Sequence, residues 1–226
     1  MGPQSYDRPQ SLFKKSLSAI KGRCHFLLLS LITVLLIYHR ATARPYLALI
    51  LQTLILITGV YAVSDSKRRL IAAVGIGTLQ FFVSALTLSV PSLDLVIPAE
   101  IIIVVFYGFT LITVLEYVVR GESVTTDKIF GAISVYLLIG FAWASLYHLV
   151  YAHEPSAFSV SAKGVPDFVY FSFVTLCTVG YGDITPASGF ARSLVILEAV
   201  TGVLYLAVLV SRLINLYRSD SCRGQK

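Results

Sequence analysis

Six consecutive residues, Thr178 to Asp183, read Thr-Val-Gly-Tyr-Gly-Asp and lie between two long hydrophobic stretches. Glycine has no Cβ, so it adopts backbone conformations that other residues rarely reach. Alternating glycines can therefore turn successive carbonyl oxygens toward one axis, where these oxygens replace the water around a dehydrated cation. The alternative interpretation is a glycine-rich turn between two helices, but two glycines and an acid in so apolar a segment favour the cation site.

The six residues match the signature of potassium channels residue for residue, and the chain from Asp167 to Arg212 resembles the pore of the bacterial ion-channel family. This resemblance implies a pore helix, a selectivity filter and an inner helix, with K+ as the permeant ion. It also implies that the Thr178 hydroxyl group binds the ion together with four successive backbone carbonyl groups. These carbonyl groups belong to Thr178, Val179, Gly180 and Tyr181.

The residues that support the filter depart from the family pattern. Gly182 permits the turn at the outer mouth, and Asp183 lies just outside it. Cys177 replaces a threonine that is often found before the signature, which removes a hydroxyl group behind the filter. Tyr170 and Phe171 stand where many members have tryptophans, so of these two only Tyr170 can offer Asp183 a hydrogen bond. We expect intact selectivity and altered inactivation.

The composition indicates an integral membrane protein. The 226-residue chain is 56% hydrophobic and 13% charged, whereas a soluble domain carries about 25% charged residues. Its mean hydropathy is +0.79. Six apolar stretches approach the ~20 residues that cross a bilayer as a helix, although the first is short. They are approximately Cys24–Tyr38, Tyr46–Val63, Leu70–Val90, Ala99–Val119, Ile129–Tyr151 and Ala191–Leu216.

The basic residues predict the orientation of the chain. With six spans and a cytoplasmic N-terminus, fourteen of the 18 Lys and Arg residues fall on the inner side. This bias is typical of cytoplasmic segments. We therefore predict a multi-pass protein of the cell membrane with both termini cytoplasmic. The net charge of +6 suits the anionic lipids of the inner leaflet rather than nucleic acid.

These observations predict an all-α membrane protein in four segments. The segments are a cytoplasmic tail (1–23), a four-helix transmembrane domain (24–121), a pore domain (122–216) and a short cytoplasmic tail (217–226). In the pore domain, Ala152–Val165 reads as an exposed outer loop, and Pro166 is expected to open the pore helix. The apolar run Phe168–Cys177 is too short to cross a bilayer, so it must be re-entrant. One chain supplies one such loop and an ion must be enclosed on all sides, which predicts a homotetramer.

The fourth apolar stretch argues against voltage gating. Voltage sensors carry repeated basic residues along this span, whereas Ala99–Val119 contains no Lys or Arg. Its interior acid, Glu116, is expected to pair with Arg120 one turn later. We predict a channel that is not strongly voltage-gated, with a gating stimulus that the sequence does not identify.

Four further residues are candidates for gating. Gly202 falls at the hinge position of the inner helix by the family pattern, and close helix packing is the alternative. Glu198, near the outer end of the same helix, is expected to face the pore loop and to hold its backbone or Arg192, in a structural or a gating role. His148 and His153 are either external pH sensors or ordinary polar residues.

Two other functions remain open at this stage. A poorly selective cation channel would use the same fold. A secondary cation transporter would need repeated broken helices, and only one re-entrant segment is visible here. An enzyme is not expected, because the acids and histidines lie in separate loops without a nucleophile–base grouping.

Overall fold

A computed structural model describes residues 23–41, 45–62, 66–90, 95–119, 125–160 and 167–223. These residues form α-helices and one small sheet. The helices are α1 (Arg23–Ala41), α2 (Pro45–Ala62), α3 (Lys67–Ser89), α4 (Val96–Val119), α5 (Thr126–His153), α6 (Phe168–Leu176) and α7 (Gly189–Arg223). The strands are β1 (Phe158–Val160) and β2 (Ile184–Pro186).

The long helices are those of a membrane protein. Within the described residues, four helices are long and apolar enough to cross a membrane, namely α3, α4, α5 and the part of α7 that ends at Arg212. The apolar parts of α1 and α2 are shorter, Cys24–Ile37 and Tyr46–Ala62. Helix α7 continues to Arg223, into the segment 217–226 that we predicted as a tail. The mostly helical membrane fold predicted from the sequence is confirmed.

Helices α1 to α4 pack in chain order and are attached to α5. Each contacts the next along the chain, and both α1 and α4 also pack along α5. The contact between α4 and α5 is the most extensive in the molecule. Leu27, Leu31, Ile55, Phe106 and Leu138 are almost completely buried where these helices meet. Burying such side chains removes apolar area from solvent and packs the bundle.

A buried acid joins three helices at one end of this bundle. Asp127, in the first turn of α5, accepts a hydrogen bond from the backbone N–H of Cys24 at 3.2 Å. Its second oxygen accepts one from the Tyr117 hydroxyl group at 2.9 Å. The acid also lies near the N-terminus of α5, where the helix dipole stabilises negative charge. These bonds hold α1 and α4 against the start of α5.

A second polar contact joins α3 to α4. The Arg69 guanidinium lies 2.6 Å from the Glu116 carboxylate. We expected Glu116 to pair with Arg120, which lies outside the described residues. Arg69 is 47 positions from Glu116 in the chain, so helical spacing could not reveal this contact.

The segment after α5 is more ordered than a simple outer loop. A 3₁₀ turn at Pro155–Ala157 leads into β1, which pairs antiparallel with β2 so that Val160 faces Ile184. Ala157 and Phe158 are buried, so the predicted exposure of the whole stretch was wrong for these two residues. The reason is packing, because the Phe158 ring lies against Tyr147 and other aromatic rings.

Candidate functional site

Helix α6 leads into the signature segment and begins at a capped residue. The Asp167 side chain accepts a hydrogen bond from the backbone N–H of Tyr170 at 3.0 Å and is the N-cap, so α6 begins at Phe168. Pro166, which we expected to open the helix, lies outside the described residues. The Phe173 ring packs onto Gly140 of α5, with ring atoms 2.6–3.0 Å from the place that a Cβ would occupy. Glycine at position 140 therefore allows α6 to approach α5 this closely.

The backbone of the signature alternates in handedness. Thr178, Gly180 and Gly182 have positive φ angles of 59°, 56° and 79°, and they are the residues with positive φ in the described part of the chain. Val179 and Tyr181 lie between them with negative φ. An alternation of this kind points successive peptide groups to the same side. Thr178 is β-branched, so its positive φ is strained, which is common at functional sites.

The first amide groups of this segment donate hydrogen bonds to the end of α6, whereas its carbonyl groups accept none from the residues that the structure describes. The backbone N–H groups of Val179 and Gly180 donate to the Val174 carbonyl at 2.9 and 3.3 Å. Among the residues that the structure describes, no donor binds the carbonyl oxygens from Thr178 to Tyr181. All four residues are exposed in the single chain. The arrangement therefore offers a row of backbone oxygens that could replace the hydration shell of a cation.

Tyr170 and Asp183 meet beside this row of oxygens. The Tyr170 hydroxyl group lies beside the Asp183 carboxylate, which accepts a hydrogen bond from the backbone N–H of Ile184 at 3.1 Å. The rings of Tyr170 and Tyr181 are parallel within 3°, with centroids 6.4 Å apart, and Tyr181 is 72% exposed. Desolvation, followed by the neighbouring Asp183 carboxylate, raises the pKa of Tyr170.

We expect the substitution Tyr170→Phe to speed the decline of K+ current during sustained opening several-fold, because it removes the hydroxyl group beside Asp183 and keeps the ring. Selectivity should be unchanged, since the four carbonyl groups stay in place. The measurement is macroscopic K+ current against time in reconstituted protein. The matched control is Tyr151→Phe, whose ring packs on Phe168. Identical time courses for Tyr170→Phe and the wild type would contradict the supporting role of Tyr170.

Cys177 contacts a residue that the sequence did not suggest. The Tyr136 hydroxyl group of α5 lies 3.5 Å from the Cys177 sulfur and 3.4 Å from the Leu176 carbonyl oxygen. Cys177 is a free, exposed thiol. No sequence signal distinguishes Tyr136 from the other tyrosines, because it acts across 41 positions of the chain.

The two gating candidates of α7 both face α6. At Gly202 a Cβ would lie 2.8 Å from the Leu176 carbonyl oxygen, and α7 continues without a break through this residue. Glu198 is completely buried and binds the Tyr147 and Ser172 hydroxyl groups. It does not bind Arg192, which donates instead to the Pro186 carbonyl. The sequence placed Glu198 against the loop but did not identify its partners.

The two candidate pH-sensing histidines have separate surroundings. The Nδ1 atom of His148 lies 2.8 Å from a carboxylate oxygen of Glu100 in α4. His153, at the end of α5, is exposed. External pH sensing by either histidine stays a prediction.

The order of these elements defines a class of protein. A long apolar helix, a short helix, a loop with free carbonyl oxygens and a second long apolar helix together form an ion-channel domain. Comparison with known proteins agrees with this class. The family model described as "Ion channel" matches residues 131–219, from within α5 to near the end of α7.

Individual relatives support the same family. Protein LctB of Bacillus caldotenax is 31% identical over 99 residues, which are 40% of this chain and 73% of LctB. A voltage-gated potassium channel of Aeropyrum pernix is 29% identical over 98 residues, 43% of this chain and 31% of that protein. Two pore potassium channel c of Oryza sativa subsp. japonica is 41% identical over 68 residues, 29% of this chain and 15% of that protein. No solved structure matches the chain at a significant level.

The chain belongs to the ion channel family, within the pore-loop superfamily of potassium channels. The resemblance inferred from the signature is confirmed. The family points to a channel rather than an enzyme. The chain covers less than a third of the length of the rice and Aeropyrum relatives.

Proposed function

We propose that this protein is a potassium-selective channel that conducts K+ passively through the filter Thr178–Asp183. The observation that carries the proposal is the alternation of φ at Thr178, Gly180 and Gly182, with free carbonyl groups and with neighbouring amides bonded to Val174. Oxygens arranged in this way suit a dehydrated monovalent cation. The names of several relatives, which are potassium channels, agree with K+ as the permeant ion.

We further propose that four copies surround the conduction axis. One chain lines only one side of an ion, and non-helical backbone is tolerated at membrane depth only when it is buried in protein or lines water. Helix α6 has nine residues, too few to cross a bilayer, so it would enter and leave on the same side. Apolar side chains of α7 are exposed in the single chain, including Ile196, Val203 and Val208. These side chains would be covered by neighbouring subunits.

The proposed topology has six spans, α1 to α5 and α7, in the cell membrane with both termini cytoplasmic. Residues 24–121 form a domain without a basic sensor repeat, and residues 122–216 form the pore domain. Helix α4 contains Glu100 and Glu116 but no Lys or Arg. Moving charge through the membrane field needs such residues, so the channel is not strongly voltage-gated.

The test is planar-bilayer recording of the purified protein in asymmetric K+ and Na+ solutions. We expect single-channel currents that reverse close to the K+ equilibrium potential and an open probability that varies weakly with voltage. A permeability ratio near unity would favour a poorly selective cation channel on the same fold. Slow, saturating flux without unitary currents would favour a secondary transporter, and steep voltage dependence would contradict the absence of a sensor.

A further inference from the structure

A buried acid joins α7, α6 and α5 behind the filter. Glu198 of α7 is 0% exposed. One of its oxygens lies 2.5 Å from the Tyr147 hydroxyl oxygen of α5, and the other lies 2.5 Å from the Ser172 hydroxyl oxygen of α6. The same Ser172 oxygen lies 2.8 Å from the backbone carbonyl oxygen of Gly140 in α5. Three short oxygen–oxygen contacts thus form one continuous chain across three helices.

Each of these contacts needs one hydrogen atom, and the hydroxyl groups supply only two. A tyrosine and a serine each carry a single O–H, and a backbone carbonyl carries none. Tyr147 donates to one oxygen of Glu198, because no other described acceptor lies near its hydroxyl group. If Ser172 donates to Gly140, the contact between Ser172 and Glu198 needs a hydrogen from the carboxyl group. We propose that Glu198 is protonated, that its carboxyl O–H donates a hydrogen bond to the Ser172 hydroxyl oxygen, and that this bond positions α6 against α5.

The surroundings of Glu198 favour the neutral acid. Among the described residues, no Lys, Arg or His forms an ion pair with it. The titratable side chains that face it are those of Tyr147 and Tyr136 from α5, and Cys177 contacts Tyr136 from the end of α6. None of these supplies a positive charge. A buried carboxylate without a cation is strongly disfavoured relative to its protonated form.

The proton on Glu198 matters because the position of α6 depends on both hydrogen bonds of Ser172. An ionised Glu198 would leave Ser172 with one hydrogen for two acceptors, so either the link to α7 or the link to Gly140 would lack a hydrogen bond. The Phe173 ring packs so closely against Gly140 that a Cβ at this position would lie 2.6 Å from a ring atom. The end of α6 is bonded to the filter, since Val174 accepts from Val179 and Gly180. The effect of Glu198 on the filter rests on the proposed channel function, whereas its protonation does not.

The direct test is infrared spectroscopy of the purified full-length protein in lipid. We expect the C=O stretching band of a protonated carboxylic acid in the wild type and its loss in Glu198→Gln. The matched control is Glu116→Gln, which removes an acid bound to Arg69 and should keep the band. A wild-type spectrum without the band, or a band that survives Glu198→Gln, would overturn the proposal.

A second variant keeps the test valid if Glu198→Gln does not fold. Tyr147→Phe leaves the acid in place and removes the donor to its C=O oxygen, so the band should shift to higher frequency. An unshifted band would mean that the acid detected is not Glu198.

Electrical recording tests the positioning role separately. A glutamine amide donates and accepts as the neutral acid does, so Glu198→Gln should conduct K+ like the wild type. Ser172→Ala breaks the link to Gly140 and should reduce the current. A large loss of current in Glu198→Gln, with the protein folded, would show that the ionised form is required and would overturn the proposal. An acid band in a protein that does not conduct would remove the proposed function but keep the protonated Glu198.

Discussion

The substitution Gly180→Ala is expected to lower K+ current at least about tenfold while leaving the subunit folded. Gly180 has a φ of +56°, and no atom lies within 4 Å of an added Cβ, so the effect is conformational rather than steric. A non-glycine residue in a left-handed conformation costs about 1–2 kcal/mol, and a tetramer would bear this four times. About 1.4 kcal/mol corresponds to a tenfold change. The backbone would relax away from the alternation that directs its carbonyl groups.

The control for this prediction is Gly75→Ala in α3. Gly75 also has no atom within 4 Å of an added Cβ, but its φ is not positive. Alanine in a helix is more favourable than glycine by about 0.5–1 kcal/mol, so this variant should conduct normally. Both variants are compared by bilayer current and by rubidium uptake into vesicles. Equal, undiminished currents would mean that the positive φ at position 180 is not needed for conduction.

The substitution Gly202→Ala is expected to destabilise the protein. The added Cβ would lie 2.8 Å from the Leu176 carbonyl oxygen and 2.9 Å from a Leu176 methyl carbon. A side chain could rotate away, but a backbone oxygen moves only with α6. Overpacking of this kind costs about 1–3 kcal/mol. Thermal unfolding should therefore occur several degrees lower, and K+ current should fall because α6 leads into the proposed filter.

This prediction separates the two interpretations of Gly202. If Gly202 acts only as a hinge, alanine should change the open probability and leave the unfolding temperature unaltered. If it permits close packing, the unfolding temperature should fall even in the absence of ions. The control is Gly108→Ala in α4, where no atom lies within 4 Å of the added Cβ. Equal unfolding temperatures for Gly202→Ala and this control would reject the packing interpretation.

The helices and their ends were largely predictable from the sequence. Apolar runs bounded by prolines and charges predicted each long helix to within a few residues of its described ends, apart from the C-terminal extension of α7. The sequence predicted that Pro166 opens the pore helix, whereas α6 begins at Phe168 with Asp167 as its N-cap. The pairing of β1 with β2 was not predictable, because three residues on each strand carry too little pattern to specify a partner.

The candidate site likewise contains residues that the sequence identified and residues that it did not. The sequence identified the segment from Thr178 to Asp183 because glycines at alternate positions determine which backbone conformations that same segment can adopt. The partners of Glu198 were not, since Tyr147 lies 51 positions away and Ser172 lies 26 positions away. An acid in an apolar helix predicts that polar partners surround it. The sequence contains several hydroxyl groups that could be these partners and does not indicate which of them are.

The sequence by itself determined that this chain is a membrane protein with one segment that matches a filter signature and with no basic repeat in its fourth apolar stretch. These properties depend on composition and on residues adjacent in the chain. The tertiary structure alone decided that Gly140 and Gly202 allow α6 to lie close to α5 and α7, and that Glu198 takes part in a hydrogen-bond chain that joins these three helices. The physical reason is that close packing and buried hydrogen bonds depend on which helix faces meet, and several apolar faces in this sequence are equally able to pack.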